Sequence, residues 1–169
     1  MPEPATVSAA LPADLVEAIG GPVMILVSVC NDRFRATIGR GAGAVCDSSG
    51  AGGGFVDVFV SAAQWPDTIA NATLGQPIAV TFGDASDYRC WQVKGVIEDA
   101  RPATATDIAR SNLYIERARS LLMEWDVSRT QLSNTFCTID LWRLRVSPRE
   151  IFNQTPGAGA GKLIAAASA

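Results

Sequence analysis

The 169-residue chain has no histidine, and its four cysteines, Cys30, Cys46, Cys90 and Cys137, include no C-x-x-C pair. Without histidine there is no Ser-His-Asp triad, no Cys-His dyad, no histidine general base and no His-ligated zinc. The dispersed thiols read as small core residues in a reducing compartment, and no metal site is expected. Lysine and arginine form no block, the net charge is −3 and the pI is near 4.9. The concentrated positive surface that nucleic acid or an anionic membrane requires is therefore missing. No apolar run reaches the roughly 18 residues of a membrane span, and Met1–Ala10 has no basic stretch leading into an apolar one. These absences point to a cytoplasmic protein with small-molecule partners. Asp, Glu, Lys, Tyr or a cofactor must carry any reaction.

What is present is a globular composition, 48% hydrophobic and 18% charged, in a chain long enough for one domain with a sizeable core. Leu11–Ile19 reads as a short helix stopped by Gly20-Gly21. Pro22–Asn31, rich in β-branched residues, is a strand entering a hairpin at Asn31-Asp32. Its partner, Arg33–Cys46, carries alternating Gly39, Gly41 and Gly43, which marks either a barrel bend or the close approach of a ligand. After the flexible turn Ser48–Gly54, Phe55–Val60 is a strand. Ser61 and Gln64 have capping-box spacing at a helix expected to run to about Leu74, with Pro66 in its first turn. Strands follow at Ile78–Phe82 and Tyr88–Asp99. Asp107–Val127 is a long helix buried along Ile108, Ile115, Ala118, Leu122 and Trp125, and Phe136–Val146 is a last long strand, with Ile151-Phe152 as a short extension. Six strands with two substantial helices break the regular β–α alternation of a doubly wound sheet. The expected fold is mainly β, a six-stranded antiparallel barrel with peripheral helices. It divides into a flexible N-terminus over 1–10, a barrel domain over 11–155, and a Gly/Ala-rich segment over 156–169 that is either an extended arm or a disordered tail.

Gly39–Gly43 lacks G-x-G-x-x-G spacing, and Gly161-Lys162-Leu163 does not complete a phosphate-binding loop. The strand Tyr88–Gly95 carries more information. A period of two puts Trp91, Val93 and Ile97 on one face and Tyr88, Cys90, Gln92 and Lys94 on the other. Gln92 then offers an amide to a planar ligand and Lys94 a cation to an anionic group, unless both simply face solvent. Arg35 and Arg40 flank the glycine-rich bend and reach one ligand only across a bulge or at a barrel rim. Ser61 and Gln64, at a helix start, suit either phosphate or a plain capping box. Trp65, Trp91, Trp125 and Trp142 read mostly as core, Trp65 and Trp142 least securely. Asp140, expected on a strand, is not a catalytic acid.

In their order these segments resemble the pyridoxamine 5'-phosphate oxidase-like, FMN-binding split-barrel superfamily over roughly Leu11 to Gly161. Arg35-Ala36-Thr37-Ile38-Gly39-Arg40 resembles the family's Arg-x-x-x-x-Lys/Arg strand. The Val60–Gln64 junction, the Tyr88–Gly95 strand and the ending Arg145-Val146-Ser147-Pro148-Arg149-Glu150-Ile151-Phe152 match further family features. The resemblance implies a split barrel, a homodimer with FMN at the subunit interface, and an FMN-dependent oxidoreductase of unknown substrate. Carried over by position, Arg35 and Arg40 address phosphate or ring, Ser61 and Gln64 phosphate, and Gln92 and Lys94 the flavin or ribityl edge. It points to no catalytic residue, since the flavin performs the redox step. The sequence departs from the vitamin B6 oxidases at Ala63-Gln64-Trp65, where they offer Ser-Arg-Lys, and in lacking their closing substrate motif. Pyridoxamine phosphate oxidase activity is therefore not expected. A non-catalytic flavin-binding or interaction module, or a reductase using deazaflavin or haem on the same barrel, is the alternative.

Overall fold

In the computed structural model, residues 8–48 and 54–167 are described. Residues 1–7 of the expected N-terminal segment and 49–53 of the expected Ser48–Gly54 turn lie outside them. The elements run α1 (Ala13–Ile19), β1 (Met24–Cys30), β2 (Ala36–Asp47), β3 (Phe55–Ser61), α2 (Pro66–Asn71), β4 (Pro77–Gly83), β5 (Cys90–Pro102), α3 (Ala105–Glu124), α4 (Arg129–Leu132), β6 (Leu141–Asn153) and β7 (Lys162–Ala166). Every strand pairing is antiparallel, in the order β3-β2-β1-β4-β5-β6-β7, and a further β3–β6 pairing closes the first six strands into a barrel. The expected architecture is thus present, with one strand added. Ala9 is fully buried and its N–H donates to Pro148 O at 2.8 Å.

Alternation of β-branched and small residues fills the barrel. Ile25, Val27, Val58, Val80, Val93, Ile97 and Leu144 are essentially without exposure, and Leu15 of α1 joins them. The glycines of β2 sit at close packing contacts and at a bend in the strand. A Cβ on Gly41 would lie 2.5 Å from Ile25 Cγ2 inside the barrel. Gly43 adopts φ 124 at the register shift between Gly41 and Ala44, a bulge that lets β2 turn along the wall.

Four expectations are corrected. The helix after β3 is only Pro66–Asn71, with Trp65 at its N-cap and no side-chain cap. Ser61 stays in β3 because it pairs with Leu141 of β6. The last barrel strand starts at Leu141 and continues through Pro148 to Asn153. Phe136 is buried ahead of it in irregular chain, and Asp140 is exposed at φ 49 in the turn before it, not on a strand. The buried face of α3 is Asp107, Ser111, Tyr114, Ile115 and Ala118, whereas Ile108 and Trp125 are exposed. Backbone and capping partners account for the two polar residues: Asp107 closes a capping box with Thr104, and Ser111 Oγ donates to Ala42 O on β2.

Candidate functional site

β2 and the β3–α2 junction place three of the six expected residues, Arg40, Ser61 and Gln64, at one rim of the barrel. Arg40 lies half-buried on β2 with its guanidinium carbon 4.6 Å from the centroid of the Phe136 ring, a cation–π contact. The Ser61 hydroxyl, 1% exposed, donates to Ile139 O at 2.7 Å and accepts the Gln64 N–H at 3.3 Å. The Gln64 amide donates to Asn134 O at 2.8 Å. Ser61 and Gln64 therefore fasten the 134–139 segment to the barrel. The expected helix N-terminus at Ser61 is absent, because the chain turns for four residues before the short α2 begins. Arg35 sits exposed in the hairpin loop, where its N–H donates to Asn31 Oδ1 at 2.9 Å.

Between β2 and α2 lies a cleft of about 280 Å³ lined by Thr37, Ile38, Gln64, Trp65, Asp67 and Thr68. Gln64 also lines a second cleft, of about 610 Å³, whose walls include Ala63, Asn134, Phe136, Cys137 and Ile139. Trp65 packs its side chain against Gly39, where a Cβ would lie 3.1 Å from the indole Cγ. Of the five buried side-chain polar atoms that lack a hydrogen-bond partner among the described residues, three belong here: Thr37 Oγ1, Arg40 Nε and Trp65 Nε1. Buried polar atoms are nearly always paired, and three of the five exceptions fall at this one rim. Thr37 and Phe136 were not singled out from sequence. Trp65 was, as a doubtful core residue beside Pro66. A larger groove of about 720 Å³ between α3 and α4 contains none of the expected residues. Among the described residues no group of three or more His, Cys, Asp or Glu side chains is placed to hold a metal ion, and no helix is long and apolar enough to cross a membrane.

Gln92 and Lys94 lie apart from this rim. Gln92 is opposite Thr81, Thr81 opposite Leu26, and Leu26 opposite Arg40, so Gln92 and Arg40 share one cross-strand row. Lys94, Ala79, Ser28 and Ile38 form the next row. Three strand spacings of about 4.8 Å separate the two ends, roughly 14 Å. Gln92 Nε2 donates to Thr81 Oγ1 at 3.3 Å, and the exposed Lys94 ammonium stands 4.5 Å from the Phe152 ring centroid. Along this outer face Met24, Leu26, Ile38 and Leu163 are between 41% and 62% exposed, with Thr81, Gln92 and Phe152 lying between Leu26 and Leu163.

No family model and no curated protein matches the chain. Among solved structures it is similar to an F420 reductase, at 14% identity and a TM-score of 0.50, over 83% of this chain and 98% of that one. It is also similar to HupZ of Group A Streptococcus, at 14% identity and a TM-score of 0.49 over 89% and 99% of the two chains. A pyridoxamine 5'-phosphate oxidase-related, FMN binding protein of Nostoc punctiforme matches at 9% identity and a TM-score of 0.41, over 92% and 90%. The likeness to the F420 reductase establishes a shared fold. That fold is the six-stranded split barrel expected from the resemblance to the pyridoxamine 5'-phosphate oxidase-like superfamily.

Proposed function

We propose that the rim between β2 and α2 holds a flavin, with FMN the form the resemblance implies, and that the protein is a flavin-dependent oxidoreductase of a small molecule. The observation that carries this reading is the set of orphaned polar atoms, Thr37 Oγ1, Arg40 Nε and Trp65 Nε1, beside two clefts that share Gln64, one walled by an indole and the other by a phenyl ring. Two donors and a hydroxyl suit the carbonyl and nitrogen edge of a planar heterocycle, and the aromatic walls suit its faces. A bound flavin would supply the redox chemistry. The chain's part is to bind it, orient it and keep water from its face. A chain without histidine suits such a division.

The reading also takes the working unit to be a homodimer. Gln92 and Lys94, on the same sheet face as Arg40 but about 14 Å away, would reach the flavin of the partner subunit, and the exposed Met24, Leu26 and Ile38 would lie against their counterparts. A deazaflavin of the F420 type is the second reading, favoured by the likeness to the F420 reductase.

The test is the visible spectrum of the purified protein, followed by FMN titration read through flavin fluorescence quenching, with the mass in solution measured on the same sample. Saturable binding at one flavin per subunit in a dimer is expected. A folded protein that binds neither FMN nor F420 overturns the reading, and a strict monomer that binds FMN tightly overturns the two-subunit site. Reduction of bound flavin by NADH or NADPH separates an enzyme from a binding module.

A further inference from the structure

The groove between α3 and α4 has a chemistry of its own, independent of any flavin at the rim. We infer that it binds a small amphiphilic monocarboxylate, with Arg119 and Arg129 holding the carboxylate and Ile115, Leu132 and Met123 receiving the apolar body. The groove forms because the chain reverses after α3: Asp126 takes φ 61, and the Val127 N–H donates to Leu122 O at 3.2 Å. The capping box of Ser128 and Gln131 then starts α4. The resulting cavity, about 720 Å³, lies within the range of small-molecule sites. Its lining is amphiphilic. Ile115 of α3 and Leu132 of α4, 7% and 4% exposed, both line it, and Met123 adds an exposed thioether. Arg119 enters from α3 and Arg129 from α4, against the single carboxylate of Glu116. Among the described residues neither arginine side chain has a hydrogen bond, ion pair or ring contact. By contrast Arg110 and Arg117, which line a smaller cleft beside Gly20, are engaged by Asp107 at 4.0 Å and by Gly20 O at 3.3 Å. Two uncommitted guanidiniums against one carboxylate leave the groove positive in a chain whose net charge is −3. That excess matches one carboxylate, and a guanidinium presents paired N–H groups to its two oxygens. Ile115, Leu132 and Met123 offer apolar surface that a bare inorganic ion would leave wet and a hydrocarbon body would cover.

The experiment is isothermal titration calorimetry of the intact protein with octanoate, octan-1-ol and acetate near neutral pH, where both acids are ionised. Octanoate is expected to bind saturably at one per chain. Octan-1-ol lacks the charge and acetate the apolar body, so each is expected to bind at least about tenfold more weakly. Arg119→Gln and Arg129→Gln should each weaken octanoate about tenfold, the value of one charge-assisted hydrogen bond, and leave octan-1-ol unchanged. Both side chains are exposed, so the variants should keep the wild-type far-ultraviolet circular dichroism. Octan-1-ol or acetate binding as tightly as octanoate overturns the inference. So does an octanoate affinity unchanged in either variant, or no octanoate binding to the folded protein. FMN titration of the two variants should match the wild type, because neither residue lines the clefts at the rim, so this test and that of the flavin reading fail separately.

Discussion

The carboxylate of Asp57 holds together the outer face of β3 and β6, and replacing it with alanine exposes how much of the barrel depends on one buried charge. Asp57 is 3% exposed. Its two oxygens accept from Arg145 Nε and Nη2, both at 2.8 Å, and Arg143 Nη1 stands 3.5 Å away. Arg143 reaches on to Asp99 at 2.5 Å, and Arg145 stacks on Phe55 at 3.8 Å. The hydrogen bond from Arg145 to Asp57 raises the guanidinium's already high affinity for its proton, with burial opposing. Asp57→Ala leaves Arg143, whose side chain is 11% exposed, paired with Asp99 alone, and it removes both acceptors of Arg145. Breaking one side of a buried pair costs about 3–5 kcal/mol. A domain of this size loses about 2–4 °C of Tm per kcal/mol, so Tm is expected to fall by roughly 6–20 °C. The assay is urea unfolding followed by tryptophan fluorescence and far-ultraviolet circular dichroism, with the m-value checked for constancy. The double variant Asp57→Leu/Arg145→Met is expected to recover much of the loss, because it removes the unpaired charge along with the pair. A single-variant loss below about 1 kcal/mol, the range of a solvated surface pair, would refute the reasoning.

Tyr114 gives the structure an alkaline signature: its hydroxyl donates to Val23 O at 2.6 Å, and burial pushes its pKa up to about 12. The unfolded phenol ionises near 10, so stability is complete below pH 10 and falls by about 2–3 kcal/mol as pH rises through 12; urea midpoints between pH 9 and 11.5 should show that slope in the wild type and not in Tyr114→Phe. Gly41→Ala sets a Cβ 2.5 Å from Ile25 Cγ2 and 3.3 Å from Val58 Cγ2. Overpacking of this kind costs about 1–3 kcal/mol, and an unchanged urea midpoint would mean that β2 bends without needing glycine. On the proposed site, Arg40→Met and Lys94→Ala should each weaken FMN binding about tenfold, the value of one good polar contact. A fluorescence titration that leaves either affinity unchanged removes that residue from the site.

Much of the barrel is legible in the sequence, because β-branched runs bounded by Gly, Pro, Asn and Asp are a local signal that tertiary context here does not override. The elements that escape are those decided by partners distant in sequence. Ser61 and Gln64 have the spacing of a helix cap, yet Ser61 pairs with Leu141 and donates to Ile139, 78 residues away. Asp107 and Ser111 look like the wet side of an amphipathic helix and are buried, one by its own capping box and the other by the carbonyl of Ala42. The cleft was hidden for the same reason. Trp65 and Thr37 meet only because β2 folds back beside α2, and Phe136 reaches Arg40 from irregular chain that no periodicity announces.

The placement of Gln92 and Lys94 bears on what a single copy of this chain is built to do. Within one subunit the pleat aims them along the same face as Arg40 and Ile38, but the intervening β1 and β4 keep them about 14 Å from the cleft. Leu26, between Arg40 and Thr81 in that row, is 41% exposed, and Ile38, in the row of Lys94, is 62% exposed. In the proposed dimer, this strand surface of exposed leucine and isoleucine with one amide and one ammonium would be covered by its counterpart. Under a two-fold axis, Leu26 and Ile38 would meet their counterparts while each polar pair crossed toward the opposite rim. The interface and the cofactor site would then be one structure, so that losing the dimer and losing half of the flavin's contacts would be a single event.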